Sequence, residues 1–241
     1  MTRKEPLLQG ESSHTGHSSL PGHSVSQAHG LLHKRSPLWW RILHSLGFTC
    51  GGTTFIAGSV CFFFPNWVEG AWWSALLYTV GSLGFLLVDV MEFFTFTDCV
   101  FLRTNILCSA LGSALYVIGS IGFFPSVYDQ SDFYGIWGFI LGSAAIGSSQ
   151  LWKVARIGWT EGKGFRICQL YSEEDEMTQT GVEFNASLGA WCFFFGTILF
   201  KWKGGVDVAC YLASVWIWTW GSVAFTCGAG FLAYRHFVMG V

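Results

Sequence analysis

Charge is scarce in this 241-residue chain, which has 13 Lys and Arg against 15 Asp and Glu, or 12% of its residues. A typical soluble domain carries about twice that share. The formal net charge is only -2 and no basic block stands out, so a nucleic-acid partner has nothing to bind to. The eight cysteines contain no CxxC pair, and all but Cys168 lie in or beside apolar runs. That pattern excludes a zinc site and a secreted disulfide framework. Proline is rare, with 5 residues, and none interrupts the middle of an apolar run. No GxxxxGK[ST], HExxH or GxSxG motif is present, so the phosphate, zinc-protease and nucleophile-elbow chemistries have no signature. No catalytic residue, metal ligand or cofactor is expected, and the chain does not read as an enzyme. What is abundant is apolar: 51% of residues are hydrophobic and 18% aromatic. The composition is that of an all-α integral membrane protein.

Residues 1–37 differ from the rest, being rich in Ser, His, Gly, Pro and charge without a run long enough for a signal peptide. They read as a disordered cytoplasmic tail, because too little apolar surface is available to offset the entropy of ordering. His14, His17, His23, His29 and His33 fall there at irregular spacing, unlike a metal site of defined geometry. Glu5-Pro6-Leu7-Leu8 has some of the look of a dileucine-type sorting signal.

Beyond the tail, apolar segments recur at 42–64, 71–94, 106–124, 133–152, 184–200 and 208–232. Each is near the roughly 20 residues a helix needs to cross the hydrocarbon core, and none shows the alternation of a transmembrane strand. Six transmembrane helices are therefore predicted. Eleven Lys and Arg flank one side, including Arg41, Arg103, Lys153, Arg156 and Arg235, and only Lys201 and Lys203 the other. The positive-inside rule then puts both termini in the cytoplasm.

One pattern occurs once in every predicted span: an aromatic, then Gly and Ser or Thr three and four residues later, then Phe or Ile at the seventh. The copies are Phe55-Gly58-Ser59-Phe62, Tyr78-Gly81-Ser82-Phe85, Tyr116-Gly119-Ser120-Phe123, Phe139-Gly142-Ser143-Ile146, Phe193-Gly196-Thr197-Phe200 and Trp218-Gly221-Ser222-Phe225. The odd-numbered spans add a glycine seven residues upstream, at Gly51, Gly112 and Gly189. The unit is a two-helix hairpin present three times, over residues 38–100, 101–158 and 184–241, with a cytoplasmic loop at 159–183. Positions i, i+3, i+4 and i+7 share one helix face, so each helix carries a Gly-Ser notch between two aromatic or aliphatic knobs. In lipid such notches let backbones approach and offer a hydroxyl for an interhelical bond. Helix packing is the first reading of these twelve Gly, Ser and Thr residues; a lining for a solute path is the second.

The paired FxxGSxxF-like signatures resemble the YrhK-like membrane-domain family. The resemblance covers each hairpin, hence most of residues 42–235, and implies a small integral membrane module of unassigned activity. It supplies no site residues.

Asp89 and Glu92 are the acidic residues well inside a predicted span, on the same face as the motif of the second helix. An intramembrane carboxylate is by default a candidate ion or proton site, but both fall near the cytoplasmic boundary, where a charge costs less, so a boundary or structural pair is the first reading and a site the second. Register across the repeats aligns Asp89 with Gln150 and Ala229, and Glu92 with Lys153 and Leu232. An ion pair between Glu92 and Lys153 is therefore predicted if the hairpins pack by pseudo-symmetry. His44 has no evident partner and reads as a boundary histidine. In the fourth loop, a basic aromatic half (Trp159, Phe165, Tyr171) precedes the acidic run Glu173 to Glu176, as in a membrane-hugging segment that leads into solvent. The expected function is a non-catalytic structural or interaction module whose partners are the lipid bilayer and a second copy or another membrane protein. The alternative is a transporter or channel for a small solute, cation or proton that uses Asp89 and Glu92.

Overall fold

The computed structural model describes residues 36–64, 66–95, 100–160, 164–204 and 206–240. The readings of the tail's five histidines and of Glu5-Pro6-Leu7-Leu8 lie outside the described residues. Six long helices follow in chain order: α1 (Leu38–Cys61), α2 (Gly70–Thr95), α3 (Val100–Gly122), α4 (Phe133–Gly158), α5 (Glu174–Leu199) and α6 (Val208–Tyr234). The last two continue into wider π-helical turns, Phe200–Gly204 and Arg235–Met239. At 1.5 Å per residue each long helix measures roughly 35–40 Å. Four of them, α2, α3, α5 and α6, are long and apolar enough to cross a membrane. The other two have comparable length but a more mixed composition. α1 carries Ser45, Gly47, Thr49, Gly51, Gly52, Thr53 and Thr54, and α4 carries Gly135, Gly138, Gly142, Gly147 and Gln150.

α5 starts at Glu174, well before the predicted apolar span at 184. Its first turn is Glu174, Asp175 and Glu176, where the helix dipole favours negative charge. Tyr234 Oη donates to Glu174 Oε1 at 2.8 Å and Arg235 Nη2 to Asp175 Oδ1 at 2.7 Å, so the acidic turn is tied to the end of α6. The segment expected as a loop is therefore partly ordered. A two-strand antiparallel ribbon, β1 (Trp159–Thr160) and β2 (Gly164–Phe165), leads into a 3-10 turn at Ile167–Tyr171 and then into α5.

Each long helix packs against its neighbours in chain order, and α6 packs back on α1. The result is a closed up-and-down ring with the start of α1 and the end of α6 side by side. The first aromatic of each motif copy points to the axis: Phe55, Tyr78, Tyr116, Phe139, Phe193 and Trp218 are all essentially inaccessible. Phe55 alone has ring centroids of Tyr78, Tyr116 and Phe193 at 4.9, 5.8 and 5.2 Å. The outer faces carry Leu46, Leu83, Leu111, Leu141, Leu188 and Trp220, all exposed. An apolar exterior around a filled axis is the pattern of a bundle solvated by lipid.

The motif glycines explain how the rings fit. A Cβ placed on Gly58 would meet the Tyr78 ring at 3.0 Å, and one on Gly81 would meet Phe55 at 2.5 Å. The same reciprocity joins Gly119 to Phe139, Gly142 to Tyr116, Gly196 to Trp218 and Gly221 to Phe193. Within each hairpin, then, the aromatic of one helix lies over the glycine of the other. The additional glycines are used likewise: Gly51, Gly112 and Gly189 receive Phe85, Ile146 and Phe225, the last motif residue of the partner helix.

Candidate functional site: a buried polar centre at one end of the ring

The motif hydroxyls form a belt around the aromatic axis. Ser59, Ser82, Ser120, Ser143, Thr197 and Ser222 are each 0% exposed. Inside the hairpins, Ser59 Oγ and Tyr78 Oη lie 2.9 Å apart, Tyr116 Oη and Ser143 Oγ 2.8 Å apart, and Trp218 Nε1 donates to Thr197 Oγ1 at 3.2 Å. Between hairpins, Ser82 meets Ser120 at 3.0 Å and Ser59 meets Ser222 at 3.3 Å. Each such bond is worth about 1 kcal/mol. Where a motif aromatic carries a polar atom, that atom is used by a motif hydroxyl across the hairpin.

Closer to the end where α1 starts and α6 finishes, the axis turns polar. His44 of α1, Asp89 and Glu92 of α2, Ser109 and Ser113 of α3, Gln150 and Lys153 of α4 and Glu183 of α5 surround a cavity of about 40 Å³. Apolar side chains, among them Phe85, Ile146, Phe225 and Leu232, line the rest of it. By size it accommodates one to three water molecules or a small ion.

Lys153 stands at the centre of the ion pairs. Its Nζ donates to Glu92 Oε2 at 3.2 Å and lies 3.5 Å from Glu183 Oε2. The pairing of Glu92 with Lys153 is the one anticipated from repeat register. His44 Nε2 lies 3.4 Å from the other Glu92 oxygen, and His44 Nδ1 lies 3.1 Å from His236 Nε2. A neutral imidazole has one donor and one acceptor. Either ring can therefore be the donor between His44 Nδ1 and His236 Nε2, while His44 Nε2 faces Glu92 without a hydrogen bond. Trp40 stacks on His44 at 4.5 Å, and Arg41 Nη1 donates to the His236 carbonyl at 3.0 Å. The network therefore joins the first helix to the last and closes the ring at this end.

Asp89 sits apart from these pairs. Ser113 Oγ donates to its Oδ2 at 2.5 Å, but among the described residues no Lys, Arg or His nitrogen comes within ion-pair distance of its carboxylate. Gln150 Nε2 donates to Ser109 Oγ at 3.3 Å, while Gln150 Oε1 is buried without a hydrogen-bond partner. No group of three His, Cys, Asp or Glu side chains among the described residues has the geometry to hold a metal ion.

The sequence reading singled out Asp89 and Glu92, and the fold sets them in one cluster with different neighbours. It gave His44 no partner, whereas the fold provides a carboxylate and a second histidine. It assigned Glu183 to a loop, and His236 entered no reading. Hydropathy carries no signal for these: only when α5 begins at Glu174 and α6 continues past Tyr234 do Glu183 and His236 come level with His44 and Lys153. No family model, no curated protein and no solved structure matches this chain.

Proposed function

We propose that the chain is a multi-pass membrane protein whose six long helices all cross the bilayer as three tandem hairpins, with both termini cytoplasmic. In this reading it is a non-catalytic structural or interaction module of YrhK-like type. The observation that carries it is the filled axis. Six motif aromatics occupy the centre of the ring, and the six motif hydroxyls around them have no exposed surface. A bundle built this way gains dispersion contacts and interhelical bonds at the level where a conduit would need water. Its exposed outer face suits lipid, a second copy or another membrane protein.

The test uses single cysteines in a background freed of the eight native ones. Ser82→Cys should stay unlabelled by a membrane-impermeant maleimide applied from either side. Val206→Cys, in the connection between α5 and α6 at 95% exposure, should label from the non-cytoplasmic side only. Labelling of Ser82→Cys at the rate of Val206→Cys would overturn the packing reading, and labelling of Val206→Cys from the cytoplasm would overturn the topology.

The polar centre favours a second reading, a carrier of a cation or proton that uses Asp89 and Glu92. The filled axis weighs against it. Flux in proteoliposomes that disappears in a folded Asp89→Asn, Glu92→Gln variant would establish it.

A further inference from the structure

We propose that the cavity beside Asp89 and Gln150 is a binding site for a small inorganic monovalent cation, held by oxygen ligands and retained rather than conducted. It is independent of the packing reading, because binding at one end of the ring requires no path along the axis.

Charge is the first observation. The cavity wall contains three carboxylates, Asp89, Glu92 and Glu183, and one ammonium, Lys153. Of the three, Asp89 is the one with no Lys, Arg or His nitrogen within ion-pair distance among the described residues. Burying an uncompensated carboxylate is costly. The partners are unevenly placed: Glu92 has Lys153 and His44 against it and Glu183 has Lys153, whereas Asp89 has the Ser113 hydroxyl.

The second observation is the Gln150 amide. It is 8% exposed, lines the cavity and leaves Oε1 without a donor. A native fold rarely leaves such an oxygen unmet. A proton cannot settle on it, whereas a cation or a water bound to one can face it. Ser109 and Ser113 add two hydroxyl oxygens on the same wall. The set is all oxygen, which selects hard cations over thiolate- or imidazole-seeking metals. One carboxylate, one amide and two hydroxyls around a volume of about 40 Å³ suit a monovalent ion with a water or two.

Repeat register gives the third observation. Asp89 and Gln150 occupy equivalent positions in the first two hairpins, and the third has Ala229 there. Two oxygen-bearing side chains thus come from symmetry-related places, and the third place contributes a methyl group instead of a competing cation.

The experiment measures the thermal midpoint of the full chain, purified in mild detergent, at constant ionic strength and alkaline pH. Lithium, sodium, potassium and ammonium chlorides are compared with N-methylglucamine chloride. At least one small cation should raise the midpoint in a saturable way, as binding to the folded state requires. Gln150→Met should shift half-saturation upward about tenfold or more. Asp89→Asn should abolish the response while raising the midpoint in N-methylglucamine, because it removes a buried carboxylate that has no ion-pair partner; that gain also shows the variant is folded. Equal midpoints in all five salts would overturn the proposal. So would a midpoint that rises on acidification and does not discriminate among the cations, since the ligand would then be a proton shared among Asp89, Glu92, Glu183, His44 and His236. A cation response that survives Asp89→Asn would place the site elsewhere and overturn it as well.

Discussion

Replacing Lys153 with Met would remove the ammonium from between Glu92 and Glu183 and keep most of the side-chain volume. At 3.2 and 3.5 Å, each charge pair is worth about 5 kcal/mol in gross Coulomb energy at an effective dielectric constant of about 20. Desolvation of the lysine offsets much of this. What the variant leaves behind is two buried carboxylates facing each other, and breaking a buried pair from one side costs about 3–5 kcal/mol. Adding Glu92→Gln should recover part of the loss, with a coupling energy of about 1.5–3 kcal/mol between the two sites. The assay is unfolding by sodium dodecyl sulfate titrated into mild detergent micelles, followed by far-UV circular dichroism. Lys201→Met serves as control: its pair with Asp132 is about half exposed on both sides, so its loss should stay within about 1 kcal/mol. A coupling below about 0.5 kcal/mol between Lys153 and Glu92 would refute the view that this pair organises the polar centre.

The glycine notches predict two opposite signs. A Cβ at Gly142 would stand 2.7 Å from Tyr116 Cδ1 and 2.8 Å from the Gly112 carbonyl oxygen, so Gly142→Ala should separate α3 from α4 and cost about 1–3 kcal/mol. Gly230 has open space around it, and Gly230→Ala should gain about 0.5–1 kcal/mol from helix entropy; the same detergent titration reads both. Asp207, which caps α6, accepts a hydrogen bond from the Ala209 backbone N–H at 2.9 Å, and that bond holds its carboxyl below the usual range. Its stabilising contribution is complete above the unfolded-state value near 4 and is lost as pH falls through the lower folded value. Asp207→Asn should therefore show a smaller loss of stability than the native chain over that acid window.

The motif spacing was legible because every copy solves the same problem: an aromatic has to fit over a backbone, and glycine permits the approach. Gly58 under Tyr78 and Gly142 under Tyr116 are local consequences of spacing that can be counted in the chain. The ion pair of Glu92 with Lys153 was legible for a related reason, since equal register means equal depth. The partners of His44 were not. They depend on where α5 starts and where α6 stops, and both ends are fixed by contacts between polar side chains far apart in sequence, such as Arg235 with Asp175. Hydropathy sees the apolar middle of a helix and is blind to polar turns that extend it into a neighbour's end.

The three hairpins agree in the aromatic and glycine layer and part company in the polar one. At the places of Asp89, Glu92 and His44, the second hairpin has Gln150, Lys153 and Asn105, and the third has Ala229, Leu232 and Val182. Packing alone would tolerate the same residue three times, so the divergence gives each hairpin a fixed place in the ring. A charge exchange tests this directly. Glu92→Lys with Lys153→Glu restores one salt bridge, yet it sets the new lysine beside His44 and the new glutamate beside Glu183, because those neighbours were not exchanged. An isolated pair would recover on exchange. Here the double variant should remain about 3 kcal/mol or more below the native chain, and recovery to within about 1 kcal/mol in the detergent titration would show that Glu92 and Lys153 form a pair and not part of an ordered network.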